Sequence, residues 1–344
     1  MKHAVRPLIP ARYWLLLADY LRSAGTSLED LLHAADIDSA HFADTDFALD
    51  TQQYERLLSA AMRTTGRSDL GFEWGRRIRQ NSHGILGYAL LSYATLDQGL
   101  RQCARYFRLL TPMFRMTYQR TGDHMEIVYR PAQAMGPQTL NMLMELMVVA
   151  THVQCTPLLH NPSSVYDIYL SMEEPPHSER YRELAPARVH FRASSLPEAR
   201  LVANTWSLDA RLPMANEHAV RMAEERCEAL LRQTGEQVGW TEWVLMMLNE
   251  AEEDQPTLDE LARFLGVSPR TLDRNLKKEG SSLRDLSVDV RNGKARRLLL
   301  EQTLPISQIA YQLGFTDVAN FSRAFRRAHG VSPSDYRRSD GAAQ

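Results

Sequence analysis

Cysteine is scarce in this chain of 344 residues: Cys103, Cys155 and Cys227 stand far apart, odd in number and without a CxxC spacing. That excludes a disulfide framework and a zinc knuckle and is the usage expected in a reducing cytoplasm. The 11 histidines form no HExxH. His152 and Cys155 share a helical face but have no acidic or cysteine neighbour, so a buried inert pair is expected and no metal site. No phosphate-cradling glycine loop of the Walker or Rossmann type is present, and neither catalytic residues nor a cofactor are expected. Long apolar runs are also missing. Tyr13-Trp-Leu-Leu-Leu-Ala18 is cut short by Asp19 and Arg22, which predicts neither a secretory signal nor a membrane span. Nor does one sign of charge dominate, with 40 Lys and Arg against 42 Asp and Glu. The balance is uneven along the chain, however. Residues 256–344 hold 15 basic against 10 acidic side chains, and residues 1–255 hold 25 against 32. A basic end joined to an acidic remainder fits a chain of which one end meets phosphate.

Within that basic end the sequence writes one pattern twice. Leu258, Leu261, Ala262, Leu265, Gly266, Val267, Leu272, Arg274, Leu276 and Gly280 are echoed by Ile306, Ile309, Ala310, Leu313, Gly314, Phe315, Phe321, Arg323, Phe325 and Gly330. The offset is 48 residues up to the first glycine and slips by one at the arginine and again at the last glycine. Each copy has the physics of a helix-turn-helix. Leu258, Leu261, Ala262 and Leu265 make one apolar helix face, opened by a capping box of Thr257 and Glu260. Gly266 suits the left-handed turn that ends the helix, and Ser268-Pro269 is an N-cap followed by proline at the first helical position. The second helix turns Leu272 and Leu276 inward. In the second copy Pro305 opens, Gly314 bends, and Phe321 and Phe325 face in. A short closing helix is expected from Ser332-Pro333 through Tyr336. Between the copies, Ser281 to Gln302 predicts a helix with Leu283, Leu286, Val290, Leu298 and Leu299 partly buried, Arg284, Arg291, Lys294 and Arg296 towards water, and Gly293 as an interruption. At about 20 residues it spans about 30 Å, close to the roughly 34 Å between successive major-groove faces on one side of a duplex.

The run from Ile306 to Arg337, Ile-Ser-Gln-Ile-Ala-Tyr-Gln-Leu-Gly-Phe-Thr-Asp-Val-Ala-Asn-Phe-Ser-Arg-Ala-Phe-Arg-Arg-Ala-His-Gly-Val-Ser-Pro-Ser-Asp-Tyr-Arg, resembles the DNA-binding domain of the AraC/XylS family of bacterial transcription regulators. Ser268-Pro-Arg-Thr-Leu-Asp-Arg274, with Arg291 and Ala295, extends the resemblance through the first copy. Leu283 stands where the family frequently has an aromatic. Arg270, Asp273 and Arg274 in the first copy, and Val318, Ala319, Asn320 and Arg323 in the second, are placed to reach base edges. Arginine matches guanine and asparagine matches adenine with paired hydrogen bonds. Val318 and Ala319 offer at most an apolar contact to a thymine methyl, so the second copy is the weaker reader. Lys277, Lys278, Arg326 and Arg327 lie further along and suit phosphate.

The remaining residues predict an α+β domain, helical first and sheet-containing afterwards. Helices are expected over Leu15 to Leu32 with a break at Gly25 and Ser27, over Tyr54 to Met62, Leu96 to Leu110 and Leu140 to Val153, and over Ala215 to Gln233. Strand-like runs are Phe114–Gln119, Met125–Tyr129, Val165–Met172, Val189–Phe191 and Arg200–Ala203. Gly84 to Leu96 and Arg105 to Leu110 resemble the N-terminal effector-binding domain of an AraC-type subgroup. That domain is named for arabinose, although nothing in these residues implies a sugar. The resemblance implies sensing and self-association. Seven of the 14 methionines fall between Met113 and Met147, a composition suited to ordinary core or to an adaptable apolar cavity. An apolar or amphipathic effector near Met113, Met144 and Met147, with Arg105, Arg108 or Arg115 pairing a carboxylate, is the resulting expectation.

The domain expectation is 1–210 for effector binding and self-association, 211–238 for a connecting helix, 239–338 for an all-α double helix-turn-helix unit, and a disordered tail from 339 to 344. The functional expectation is a cytoplasmic, sequence-specific DNA-binding transcription regulator, not an enzyme. Its expected partners are promoter DNA, a small-molecule effector, a second copy of the chain and, for an activator, RNA polymerase, with no membrane. Two alternatives use the same DNA-binding module: an Ada-like alkyl-transfer enzyme, which needs a reactive or zinc-bound cysteine, and a non-specific packaging protein.

Overall fold

In the computed structural model, which describes residues 8–10, 12–38, 48–159, 164–204, 207–233, 239–251, 255–301 and 304–341, the chain divides into two units, Met1–Gly239 and Trp240–Gln344. The first opens with a small antiparallel pair, β1 (Leu8–Pro10) and β2 (Ala48–Asp50). Around it lie α1 (Arg12–Ser23), α2 (Leu28–Ala34), α3 (Thr51–Thr65) and α4 (Leu70–Gly75). Local chemistry sets these boundaries. Ser27 caps α2, Asp50 and Gln53 form a capping box on α3, and Gly66 ends α3 at a φ of 62°, a conformation that costs glycine little. Next come α5 (Gly84–Ser92), α6 (Leu96–Tyr106) and a hairpin of β3 (Phe114–Thr121) and β4 (His124–Pro131).

α7 (Pro137–Cys155) is the centre of this unit. It contacts α3 and α4, and also β4 and the later strands β5 (Tyr166–Leu170) and β7 (Ala199–Ala203). Burial from Thr139 to Cys155 on nearly every side explains its continuous apolar run, since a helix walled in all round has no polar face. The sheet order is β3-β4-β7-β5-β6, with β6 (Ala187–His190) parallel to β5 and every other pair antiparallel. β5 and β7 alternate buried and half-buried residues, as a half-covered sheet requires. Register aligns Ile127, Leu201 and Ile168 across three strands, and all three are fully buried.

α8 (Glu217–Gln233) packs on α5 through Val220 and Ala223 against Ala89, Leu90 and Tyr93. α8 is the helix expected as a connecting helix within 211–238, and it packs on the first unit. The short helix α4, the helical state of 84–92 and the β1–β2 pair had no clear signal in the sequence.

The second unit consists of α9 (Trp240–Glu250), α10 (Leu258–Leu265), α11 (Pro269–Lys278), α12 (Leu283–Glu301), α13 (Ile306–Gln312), α14 (Val318–His329) and α15 (Pro333–Gly341). The Thr257–Glu260 capping box, the left-handed Gly266 and the Ser268 cap with Pro269 are all in place. Leu261, Ala262, Leu265, Leu272 and Leu276 are fully buried. In the second copy Ala295, Leu299, Ile309, Ala310, Leu313, Phe321 and Phe325 form one cluster.

Three details of this unit differ from expectation. Gly293 does not interrupt α12, because burial of Leu286, Val290, Ala295 and Leu299 along the helix outweighs the roughly 1 kcal/mol that a mid-helix glycine costs. Arg291 and Lys294 do not point to water. Arg291 donates to Gln255 Oε1, just ahead of the first helix-turn-helix copy, at 3.1 Å and lies 5.4 Å from the centre of the Phe315 ring in the second. Lys294 donates to the carbonyls of Leu248 and Ala251 at 3.1 and 3.0 Å, where an ammonium satisfies the last turn of α9. Finally, residues 339–341 belong to α15, where a disordered tail was expected; residues 342–344 lie outside the described residues.

Candidate nucleic-acid interface and effector cavity

α11 and α14 are the second helices of the two turns, and each presents a charged outer face. On α11, Leu272 and Leu276 are buried on one side, while Arg270, Arg274, Lys277 and Lys278 are exposed on the other. Asp273 is half-buried and pairs with Lys277 at 2.7 Å one turn along. Arg270 and Arg274 make no ion pair among the described residues, so both guanidinium groups keep all their donors.

α14 is arranged differently. Asp317 caps the helix, accepting from Asn320 N at 2.6 Å. The Asn320 amide donates to the same carboxylate, and Arg323 donates to the Asn320 carbonyl. This chain of hydrogen bonds lays Arg323 over the first turn and leaves the rest of its five-donor fork open. It also engages both ends of the Asn320 side chain, which keeps one further donor and one further lone pair. Val318 is half-buried against the Phe321 and Phe325 cluster, so its methyls are largely committed to the core. Ala319, Arg326 and Arg327 are exposed.

In the first unit, a cavity of about 120 Å³ lies among β1, α1, α3, α4, α6, β3, β4 and α7. Its lining is mostly aromatic and aliphatic and contains no Lys, Arg, Asp or Glu among the described residues. Most of its polar groups have partners in the protein. His83 holds the Tyr13 hydroxyl at 2.9 Å and Gln154 Oε1 at 2.8 Å. Burial drives its pKa down to about 4, so the ring is neutral at ordinary pH. The Tyr129 hydroxyl meets Thr151 Oγ1 at 2.7 Å, and the Trp74 ring nitrogen donates to the Tyr13 carbonyl at 2.9 Å. Burial raises the thiols of Cys103 and Cys155 to about 12, so both stay protonated and are poor nucleophiles.

Of the residues singled out from sequence, Met147 lines this cavity and Met116 joins it. Met113 and Met144 are buried in the core away from the lining, with the Met144 sulfur accepting from Ser171 at 3.6 Å. Arg105 and Arg108 also lie outside it. Arg105 pairs with Glu228 of α8, which takes the role expected of a ligand carboxylate. Arg108 donates to the Leu231 carbonyl at 3.0 Å, near the end of the same helix. Sequence reasoning missed Tyr13, Tyr54, His83 and Gln154. Tyr54 sits on the buried face of α3 with Leu57 and Leu58, where an aromatic reads as core, and only the cavity distinguishes it.

His152 and Cys155 are both buried, and His152 meets the Tyr166 hydroxyl at 2.5 Å. No group of His, Cys, Asp and Glu suited to a metal ion occurs among the described residues. No described helix is long and apolar enough to cross a membrane.

Comparison with known proteins agrees with this architecture. Residues 25–212 match the family model described as the arabinose-binding domain of AraC transcription regulator, and residues 261–339 match a helix-turn-helix domain model. The ornithine utilization regulator of Pseudomonas aeruginosa is 30% identical, the alignment covering 96% of both chains. An uncharacterized HTH-type transcriptional regulator of Mycobacterium tuberculosis is 29% identical over 94% of both. The crystal structure of transcriptional regulator CdpR from Pseudomonas aeruginosa covers 95% of this chain and 98% of its own, with 23% identity and a TM-score of 0.48. A matching family model across more than half of the chain, and a relative aligned along nearly all of it, assign the protein: it belongs to the AraC family of DNA-binding transcription regulators.

Proposed function

We propose that this regulator reads two successive major grooves of a promoter with α11 and α14 and that a small effector in the first unit controls the reading. Arg270, Asp273 and Arg274 of α11, and Ala319, Asn320 and Arg323 of α14, address base edges, with Val318 a marginal contributor. Lys277, Lys278, Arg326 and Arg327 address phosphate. The observation that carries this reading is the pair of capped turns fixed to one unbroken helix. α12 spans about 28 Å at 1.5 Å per residue, and Arg291 in its middle bonds Gln255, just before the first copy, and lies over the Phe315 ring of the second.

Control by an effector rests on the cavity and on α6. One side of α6 lines the cavity through Leu96, Gly99, Leu100 and Cys103. Its end holds α8: Arg105 and Tyr106 both reach Glu228. A ligand that shifts α6 therefore acts on the last helix before the DNA-binding unit. The reading includes self-association of two copies and, at an activated promoter, contact with RNA polymerase.

Arg274→Ala and Arg323→Ala are each expected to cost about 1–3 kcal/mol of specific binding and to relax preference at one base pair, whereas Lys277→Ala weakens all sequences alike. Selection of binding sites from random DNA by each variant, at one fixed salt concentration, is the check. Unchanged base preference in both arginine variants refutes the assigned roles. The same selection with the unaltered chain tests the packaging alternative, which predicts no enriched sequence.

A further inference from the structure

The cavity also limits what the effector is. This inference rests on the reading of the cavity as the effector site. Its volume, about 120 Å³, is somewhat below the roughly 150 Å³ apolar cavity that holds benzene. Among the described residues the lining carries no ionised side chain, and its histidine is held neutral. A charged ligand entering here meets no ionised side chain among the described lining residues, the Arg12 guanidinium lying over the Tyr13 ring, and loses its hydration, a heavy penalty. A sugar meets few open hydrogen-bonding groups, because the Tyr13, His83, Gln154, Tyr129 and Thr151 side chains already bond one another or nearby backbone.

Tyr54 differs. It is 5% exposed and lines the cavity, and its hydroxyl has no hydrogen-bond partner among the described residues. A tyrosine hydroxyl on a cavity wall with no protein partner is open to an incoming acceptor. Burial raises its pKa well above the usual tyrosine value, which keeps it a donor. Around it, the rings of Trp74, Phe107 and Tyr129 and the thioethers of Met116 and Met147 favour a flat aromatic molecule through edge-to-face and sulfur–ring contacts.

We propose that the first unit binds a compact, uncharged, single-ring aromatic compound carrying one oxygen acceptor, and that the Tyr54 hydroxyl recognises that oxygen. The class differs from what the names of the similar proteins bring to mind. A diamino acid carries charges this cavity does not balance, and a pentose carries hydroxyls it does not answer.

Phenol and toluene are the probes, since they differ by a hydroxyl against a methyl at equal size, with L-ornithine and L-arabinose beside them. Binding to the full chain is followed by calorimetry, and its effect on operator affinity by gel shift. Phenol is expected to bind more tightly than toluene, and Tyr54→Phe, which keeps the ring, to weaken phenol roughly tenfold while leaving toluene unchanged. Met147→Trp, which fills the cavity, is expected to abolish both, with the melting temperature of each variant confirming its fold. Equal phenol binding by Tyr54→Phe overturns the role of Tyr54. If ornithine or arabinose alone binds and Met147→Trp blocks it, the cavity stands as the effector site and the ligand class falls. If phenol binds as expected but operator affinity does not change, the ligand class stands and effector control falls.

Discussion

Phe325→Ala is expected to remove about 3–5 kcal/mol from the stability of the second unit, the range for deleting a buried aromatic ring. Phe325 is 1% exposed and packs against Phe321, His329 and Tyr336, with ring centres 5.8, 4.4 and 5.4 Å away. Those four side chains come from α14 and α15, so the loss falls on the turn that presents Arg323. A domain of this size holds about 5–15 kcal/mol in all, which makes the substitution severe without necessarily unfolding the whole unit. Leu261, Leu265, Leu272 and Leu276 pack the first copy and are not part of this cluster. Denaturant unfolding of the full chain is expected to show the transition of the second unit moving to lower denaturant while that of the first unit stays, and DNA protection to be lost first in the groove proposed for α14. A loss under about 1 kcal/mol would mean that the ring is not the keystone of that turn.

The second large effect is expected at Gly71, in the first unit. α4 crosses α7 so closely that a Cβ added at Gly71 runs into the Met142 backbone carbonyl and lies 2.7 Å from Glu145 Oε2. One turn on, a Cβ at Gly75 lies 2.7 Å from Val149 Cβ. Glu145 is itself buried, accepting from Phe72 N at 2.8 Å, Tyr181 at 2.7 Å and His177 at 2.6 Å. It has little room to retreat without leaving those donors unpaired. Gly71→Ala is therefore expected to cost about 3 kcal/mol or more, at or above the usual cost of overpacking. Gly293→Ala is the matched contrast. Nothing lies within 4 Å of its added Cβ, and alanine in mid-helix gains about 0.5–1 kcal/mol over glycine. Calorimetric melting checks the pair: the transition of the first unit falls in one variant, and that of the second rises in the other. A neutral Gly71→Ala would show that α4 and α7 do not pack this closely.

These two sites also show where the sequence was readable. The second unit could be read because its rules are local. Capping pairs three residues apart, a glycine at each bend and apolar positions at helical spacing decide the fold within a few residues, and duplication states the decision twice. The five strands of the larger sheet are legible for the same reason, as short strand-like runs, whereas β1 and β2 are not. What escaped depends on residues distant in sequence. Gly71 looks like any glycine until α7 arrives from 70 residues later. The cavity takes Ile9, Tyr54, Leu100, Met116 and Met147 from five elements, and no window along the chain contains them together. Arg105 was assigned to a ligand because Glu228, 123 residues on, could not be seen beside it. Arg291 and Lys294 were set towards water on charge alone. Their long stems let a cationic tip reach an amide oxygen, a ring or two carbonyls from a half-buried position, which periodicity does not register.

The central claim is that α11 and α14 read one duplex together, held apart by α12. Methylation protection of guanine N7 on an operator bound by the full chain tests it most directly, because N7 lies in the major groove and is where an arginine fork sits. Protected guanines are expected in two successive major grooves on one face of the DNA, about 10 base pairs apart, with Arg274→Ala restoring reactivity in one groove and Arg323→Ala in the other. Protection confined to a single groove per chain, or both variants exposing the same guanine, would contradict it.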